Sequence, residues 1–160
     1  MTSLLETTSK WLDRLASWMV ILFLSFMVIV TTTGVISRYG FNSALSWSEE
    51  LGRYLLVWIS FLGATLATYK ESHIGISLVF DRFPIRGQFW VGVIVDIIII
   101  LFMGSILIGG IKTLPFIHVR ISPTLTIPMS VPYLIMPFSA GVIIFHIQVR
   151  LVISFKKRID

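Results

Sequence analysis

The chain contains no cysteine. That excludes disulfides and thiolate-held metal sites, and it leaves the compartment open. Charge is scarce as well. Only 13% of the 160 residues are charged, where soluble domains carry roughly 25%. The sequence also has no Gly-rich phosphate loop, no nucleophile elbow and no close pair of zinc ligands. Enzymatic chemistry has little to work with here. What the chain does have is apolar: 56% hydrophobic residues and a mean hydropathy of +0.91. Composition alone therefore makes it an integral membrane protein. A crossing needs ~20 apolar residues, so 160 residues hold four crossings and one membrane domain over 1–160. The net charge of +5 fits anchoring to a phospholipid membrane with anionic headgroups, not nucleic acid.

Four uncharged runs set the expected spans: about 15–37, 50–69, 88–111 and 131–154. Ahead of the first, Leu4, Leu5, Thr8, Trp11, Leu12 and Leu15 recur at helical spacing, which predicts a short interfacial helix. Thr31, Thr32, Thr33 and Gly34 suit close helix contact, although the hydroxyls can also bond back to their own helix. After the second span, Ile76, Val79, Phe80 and Phe83 predict an amphipathic helix on the membrane surface, stopped by Pro84. Residues 112–130 contain Pro115, Pro123 and Pro128 and read as a loop. The fold class is all-α: four transmembrane helices with short interfacial ones.

Lys and Arg set the expected orientation. Lys10, Arg14, Lys70, Arg82, Arg86, Arg150, Lys156, Lys157 and Arg158 fall on one side, nine in all. Arg38, Arg53, Lys112 and Arg120 fall on the other. Both termini are therefore expected in the cytoplasm.

The stretch from Ser46 to Lys70, SWSEELGRYLLVWISFLGATLATYK, is a hybrid. Ser46 and Glu49 fit a capping box. Trp47 sits at interface depth. The uncharged part, Tyr54 to Tyr69, covers only about 24 Å, so Glu49, Glu50 and Arg53 lie near the membrane surface or are shielded by protein. Both acids can pair with Arg53, at i,i+4 and i,i+3. Being adjacent, they point to different sides of a helix and make a poor acid/base pair. Gly63, Ala64 and Ala67 form a small-residue patch near Trp58 that suits contact with another helix.

Other polar residues within or beside the spans are candidates by default. Asp96 is the one deep carboxylate in the third span. It could bind a proton or cation. It could equally pair with Lys70, Arg82 or Arg86, or be satisfied by a neighbouring subunit. Of the histidines, His73 reads as an interfacial loop residue, and His118 and His146 make no facing pair for haem. No internal repeat with interrupted segments marks a transport core. The chemistry that remains is packing against other helices.

At Arg38 to Ile74 the residues resemble the small membrane subunit of tripartite ATP-independent periplasmic (TRAP) transporters. The resemblance rests on Arg38, on the Trp-x-Glu-Glu-Leu-x-Arg element of Trp47, Glu49, Glu50, Leu51 and Arg53, on Trp58, on Phe61 to Ala64, and on His73 with Ile74. SPTLTIPMSVPYLIMP, Ser122 to Pro137, resembles the family's Ser-Pro-x-Leu-x-Ile-Pro signature. One departure lies in the first element: family members often carry an acid two or three positions after the His-Ile, where this chain has Ile76 and Ser77. The resemblance implies a non-catalytic scaffold subunit in the bacterial inner membrane, with no cofactor of its own. Its partners would be a large TRAP membrane subunit holding the substrate and sodium sites, and a periplasmic substrate-binding protein delivering an organic acid such as a C4-dicarboxylate or a sialic acid. Arg38, Trp47, Glu50 and Arg53 would organise the periplasmic side.

Two other readings fit the size. An autonomous proton-coupled exporter acting as a homodimer has a similar span count, but such proteins place an acid inside the first span, and residues 15–37 have none. A haem-binding redox subunit would be coloured when purified.

Overall fold

In the computed structural model the described residues are 2–70 and 85–159, with side chains described over 7–70 and 90–154. The expected surface helix from Ile76 to Phe83 lies outside them, as does His73. Four helices are long and apolar enough to cross a membrane, and the described residues contain no strand beyond one isolated bridge.

Helix α1 (Thr2–Gly40) is continuous over 39 residues. The N-terminal segment is thus an extension of the first span and not a separate interfacial helix. Neither glycine nor proline occurs before Gly34 to break it. The helix ends where Asn42 takes a left-handed φ of 50°, a conformation asparagine tolerates better than most residues. Ser37 then closes the turn, its carbonyl accepting from the Ser43 amide at 3.1 Å and its hydroxyl donating to the Ser43 carbonyl at 2.8 Å.

Helix α2 (Ser46–Tyr69) begins without the expected capping box. Leu45 is the cap, and it makes no side-chain cap bond. The would-be partner, Glu49, is drawn instead to Arg38 on α1. Helix α3 (Ile85–His118) runs well past residue 111, with Pro115 inside it. A proline removes one backbone bond, but an apolar surrounding gives the others no water to turn to, so they persist. The expected loop therefore shrinks to residues 119–129. That loop is pinched shut: the Ser122 amide donates to Ile127 O at 2.9 Å and the Met129 amide to Arg120 O at 2.8 Å. One turn, α4 (Ser130–Tyr133), precedes α5 (Ile135–Ile159). Pro137 lacks the N–H that would bond Tyr133, and its ring crowds that carbonyl, so the helix breaks at Leu134.

Neighbour relations run α1–α2–α5–α3, with α1 also touching α5 and α3 also touching α4. The innermost pair is α2 and α5. In α5, 44% of the most apolar stretch is buried, against 22% in α2 and 6% in each of α1 and α3. Leu62 and Ile135 are almost fully buried and, with Ala16, centre a core flanked by Phe23, Val57, Trp58 and Met136. The Phe23 and Trp58 rings meet edge to face at 5.6 Å, an arrangement that adds to simple area burial. Most hydroxyls bond back to their own helix, Thr31 and Thr33 among them at 2.8 Å each.

Candidate functional site

The head of α2 carries the densest polar cluster. Its first turns place Glu49 outward and Glu50 inward, as adjacent positions on a helix must. Glu49 forms an exposed ion pair with Arg38 at the end of α1. Glu50 is buried and is held by the 119–129 loop. Its Oε1 accepts from Ser122 Oγ at 2.5 Å and from Tyr54 Oη at 2.7 Å. Its Oε2 accepts from the backbone amides of Thr124 at 2.9 Å and Leu125 at 3.3 Å.

The local sequence explains that grip. Pro123 contributes no N–H, and the two amides that follow it point to one spot, making a small anion-binding concavity. Thr126 turns the chain with a φ of 53°, and the pinched ends hold the concavity in place. Four donors fill the roughly four acceptor positions of a carboxylate. Glu50 therefore has no free lone pair with which to take a proton or cation from a cargo. Its chemistry is a tie between α2 and the α3–α4 connection.

Arg53 differs from the sequence expectation. It pairs with neither glutamate, because both are committed elsewhere. It is exposed and has no ion-pair or hydrogen-bond partner among the described residues. It opens onto a recess of about 420 Å³ shared with Glu50, Val57, Pro123, Met129 and Met136. Trp47, 39% exposed, stands at the same end.

Close helix contact is carried by other glycines than Gly63. A Cβ on Gly63 would meet nothing within 4 Å, and the same holds for Gly109. A Cβ on Gly34 would press into Ser48, with its Cβ 3.2 Å away, and one on Gly110 would stand 3.1–3.3 Å from the Pro137 ring. The Gly63 patch is therefore open within this chain, next to the exposed Ala64.

Asp96 is buried, and Arg150 of α5 donates to its Oδ1. The sequence expectation of Lys70, Arg82, Arg86 or a neighbouring subunit as its partner does not include Arg150. At the same end, His146 Nδ1 lies 2.7 Å from Ser9 Oγ, and its ring stacks obliquely on Tyr69 at 5.2 Å. His118 Nδ1 meets Ser130 Oγ at 2.8 Å, at the opposite end of the bundle from His146. No group of three or more metal-ligating side chains occurs among the described residues.

Residues 27–157 match the family "Tripartite ATP-independent periplasmic transporters, DctQ component". The chain is 30% identical over 141 residues to an isethionate TRAP transporter permease protein of Oleidesulfovibrio alaskensis, covering 82% of this chain and 22% of that one. It is 31% identical over 98 residues to a putative TRAP transporter small permease protein of Haemophilus influenzae, covering 61% of each. A sialic acid TRAP transporter small permease protein of Vibrio cholerae is 23% identical over 106 residues, covering 66% of this chain and 61% of its own length. The aligned part thus spans about a fifth of the first relative and three fifths of the other two. Four membrane-crossing helices, the Glu50–Ser122 tie and the match over residues 27–157 lead to one conclusion: this chain is a multi-pass membrane protein of the DctQ component family of tripartite ATP-independent periplasmic transporters.

Proposed function

We propose that this chain is the small, non-catalytic permease subunit of a TRAP-type secondary transporter. It scaffolds a large membrane subunit for sodium-coupled uptake of an organic acid, a C4-dicarboxylate or a sialic acid, delivered by a periplasmic binding protein. It works as one membrane domain in the bacterial inner membrane, with both termini in the cytoplasm, so that Glu50 and Arg53 face the periplasm. Substrate and sodium are held by the large subunit.

The observation that carries this reading is the state of Glu50. The one buried carboxylate at the head of α2 is saturated by four donors from its own chain. It fixes a loop and is closed to cargo. Three further observations support the partner. The first relative is much longer than this chain, with the similar unit filling 22% of it. The Gly63 patch has no occupant within the chain. Arg53 is exposed beside a largely apolar recess and makes no ion pair or hydrogen bond among the described residues. The face that presents Gly63 and Arg53 receives the large subunit.

Reconstitution tests the proposal. Proteoliposomes holding this chain alone should move no organic acid. Those holding this chain, the large subunit and the binding protein should show sodium-dependent uptake. Uptake by the lone chain, or full uptake without it, would overturn the assignment.

A further inference from the structure

The end of the bundle opposite Glu50 holds a second recess, of about 400 Å³, between α1, α2 and α5. Its charged rim is Lys10 on α1, Lys70 at the cap of α2, and Arg150 on α5. Arg150 is neutralised by Asp96. Lys10 and Lys70 are exposed and have no acidic partner among the described residues. The wall between them is polar and ordered: Ser9 and His146 are buried, 2.7 Å apart. Val149 and Ile153 make an apolar floor.

Depth decides what such a recess meets. Lys10 lies five residues before the uncharged run that starts at Leu15, about 7.5 Å further along the axis. Lys70 follows directly on the run that ends at Tyr69. Both ammonium groups therefore stand at the headgroup layer, while the floor below them borders hydrocarbon. Trp11, Trp18 and Trp90 are exposed at the same end, 70%, 65% and 57%, where amphipathic rings mark the membrane–water boundary. Asp13, one turn beyond Lys10, has a buried Oδ1 with no hydrogen-bond partner among the described residues. Among the described side chains, that acid stands against Lys10, Lys70 and, beside them on α1, Arg14, with Asp96 already paired to Arg150: a positive surplus.

We propose that this recess binds the phosphate of an anionic phospholipid, phosphatidylglycerol or cardiolipin, with Lys10 and Lys70 as its two ammonium donors. Basic pockets between transmembrane helices are suited to such headgroups. The lipid clamps α1 onto the α2–α5 pair; over its length α1 meets α5 far less than it meets α2. A free phosphate shares the charge but gains nothing from Val149 and Ile153. The apolar floor therefore favours the lipid. The site is separate from the surface assigned to the large subunit and does not depend on that assignment.

The test uses the full chain in a neutral detergent and three probes: dioleoylphosphatidylglycerol, dioleoylphosphatidylcholine and inorganic phosphate. Thermal unfolding should shift upward with phosphatidylglycerol and stay unchanged with the other two. Native mass spectrometry should show retained phosphatidylglycerol. Each of Lys10→Gln and Lys70→Gln should weaken that affinity about five-fold, and the pair about thirty-fold, since a lysine near an anionic headgroup is worth roughly 1 kcal/mol. Lys10→Arg with Lys70→Arg should keep it. If the double glutamine variant does not fold, the two single variants and the arginine pair still decide the matter. Equal stabilisation by phosphatidylcholine, a full shift with inorganic phosphate, or undiminished binding in the glutamine variants would each overturn the proposal.

Discussion

Breaking the Asp96–Arg150 pair separates a structural acid from a transport acid. Asp96 is 6% exposed, and the Arg150 side chain is 22% exposed. Removing one partner of a buried ion pair costs about 3–5 kcal/mol, because the other charge is stranded. The two single variants should not be equal. Arg150→Met removes the ion-pair partner of a short, buried carboxylate that cannot swing out to water, so its cost belongs in that range, about 3–4 kcal/mol. Asp96→Asn strands a guanidinium on a long stem. That stem can swing toward the headgroup layer, so the cost falls nearer 2 kcal/mol, about that of one lost charged hydrogen bond. Asp96→Leu with Arg150→Met replaces both charges by packed apolar groups and should return to within about 1 kcal/mol of the parent. Denaturation in detergent, followed by circular dichroism, reads all four corners of the cycle. Uptake by the reconstituted transporter supplies the second readout. Single variants that each cost under about 1 kcal/mol, or a double variant as unstable as Arg150→Met, would refute the structural account. A double variant with parental stability and no uptake would show that Asp96 serves transport itself.

Other expectations follow from the same geometry. Glu50→Ala should raise hydrogen exchange at the Thr124 and Leu125 amides at least ten-fold. Glu50→Gln should fall between the two, since its carbonyl can face the amides while the Ser122 and Tyr54 hydroxyls turn to accept; unchanged exchange in Glu50→Ala would show that the loop holds itself. Arg38→Gln should shift stability by no more than about 1 kcal/mol, as its pair with Glu49 is over half exposed, and a thermal melt checks it. Gly110→Leu should impair folding, measured as monodisperse yield, because Pro137 is a rigid ring 3.1–3.3 Å from the added Cβ. Gly63→Leu should leave yield intact and weaken co-purification with the large subunit, since the space within the chain is empty.

The spans were legible because a membrane helix must keep charge off every face over ~20 residues, and little else in a sequence does that. That Glu49 and Glu50 point to different sides of α2 was legible from helix geometry. What Glu50 would meet was not. Ser122, Thr124 and Leu125 lie more than seventy positions away, and two of the four donors are backbone amides, which no side-chain pattern reveals. The Ser-Pro-Thr-Leu run was visible as a family element, but not as the occupant of the same site. Arg53 was assigned a partner by i,i+3 and i,i+4 spacing alone. That spacing permits a pair; the competing donors on α1 and on the loop decided otherwise. Pro115 makes residues 112–118 look like loop in the sequence, although a proline in an apolar surrounding ends a helix less reliably than it does in water. The pairing of Asp96 with Arg150 was missed because α3 and α5 are neighbours in space without being neighbours in sequence.

The three charged ties have a common consequence. Arg38–Glu49 joins α1 to α2, Glu50 joins α2 to the loop after α3, and Asp96–Arg150 joins α3 to α5. The first two hold one end of the bundle and the third the other. Between them the helices meet through apolar packing, which in hydrocarbon supplies no solvent-driven preference for one neighbour over another. The ties therefore set which helices are adjacent, while van der Waals contact at Gly34 and Gly110 sets how closely they approach. Every tie is internal, so the order α1–α2–α5–α3 does not wait for a second subunit. Arg53, with no ion-pair or hydrogen-bond partner among the described residues, and the open Gly63 patch both lie on α2. A chain built in this way can fold first and dock afterwards. Docking should then depend on α2 far more than on the apolar outer faces of α1 and α3, which lipid can cover.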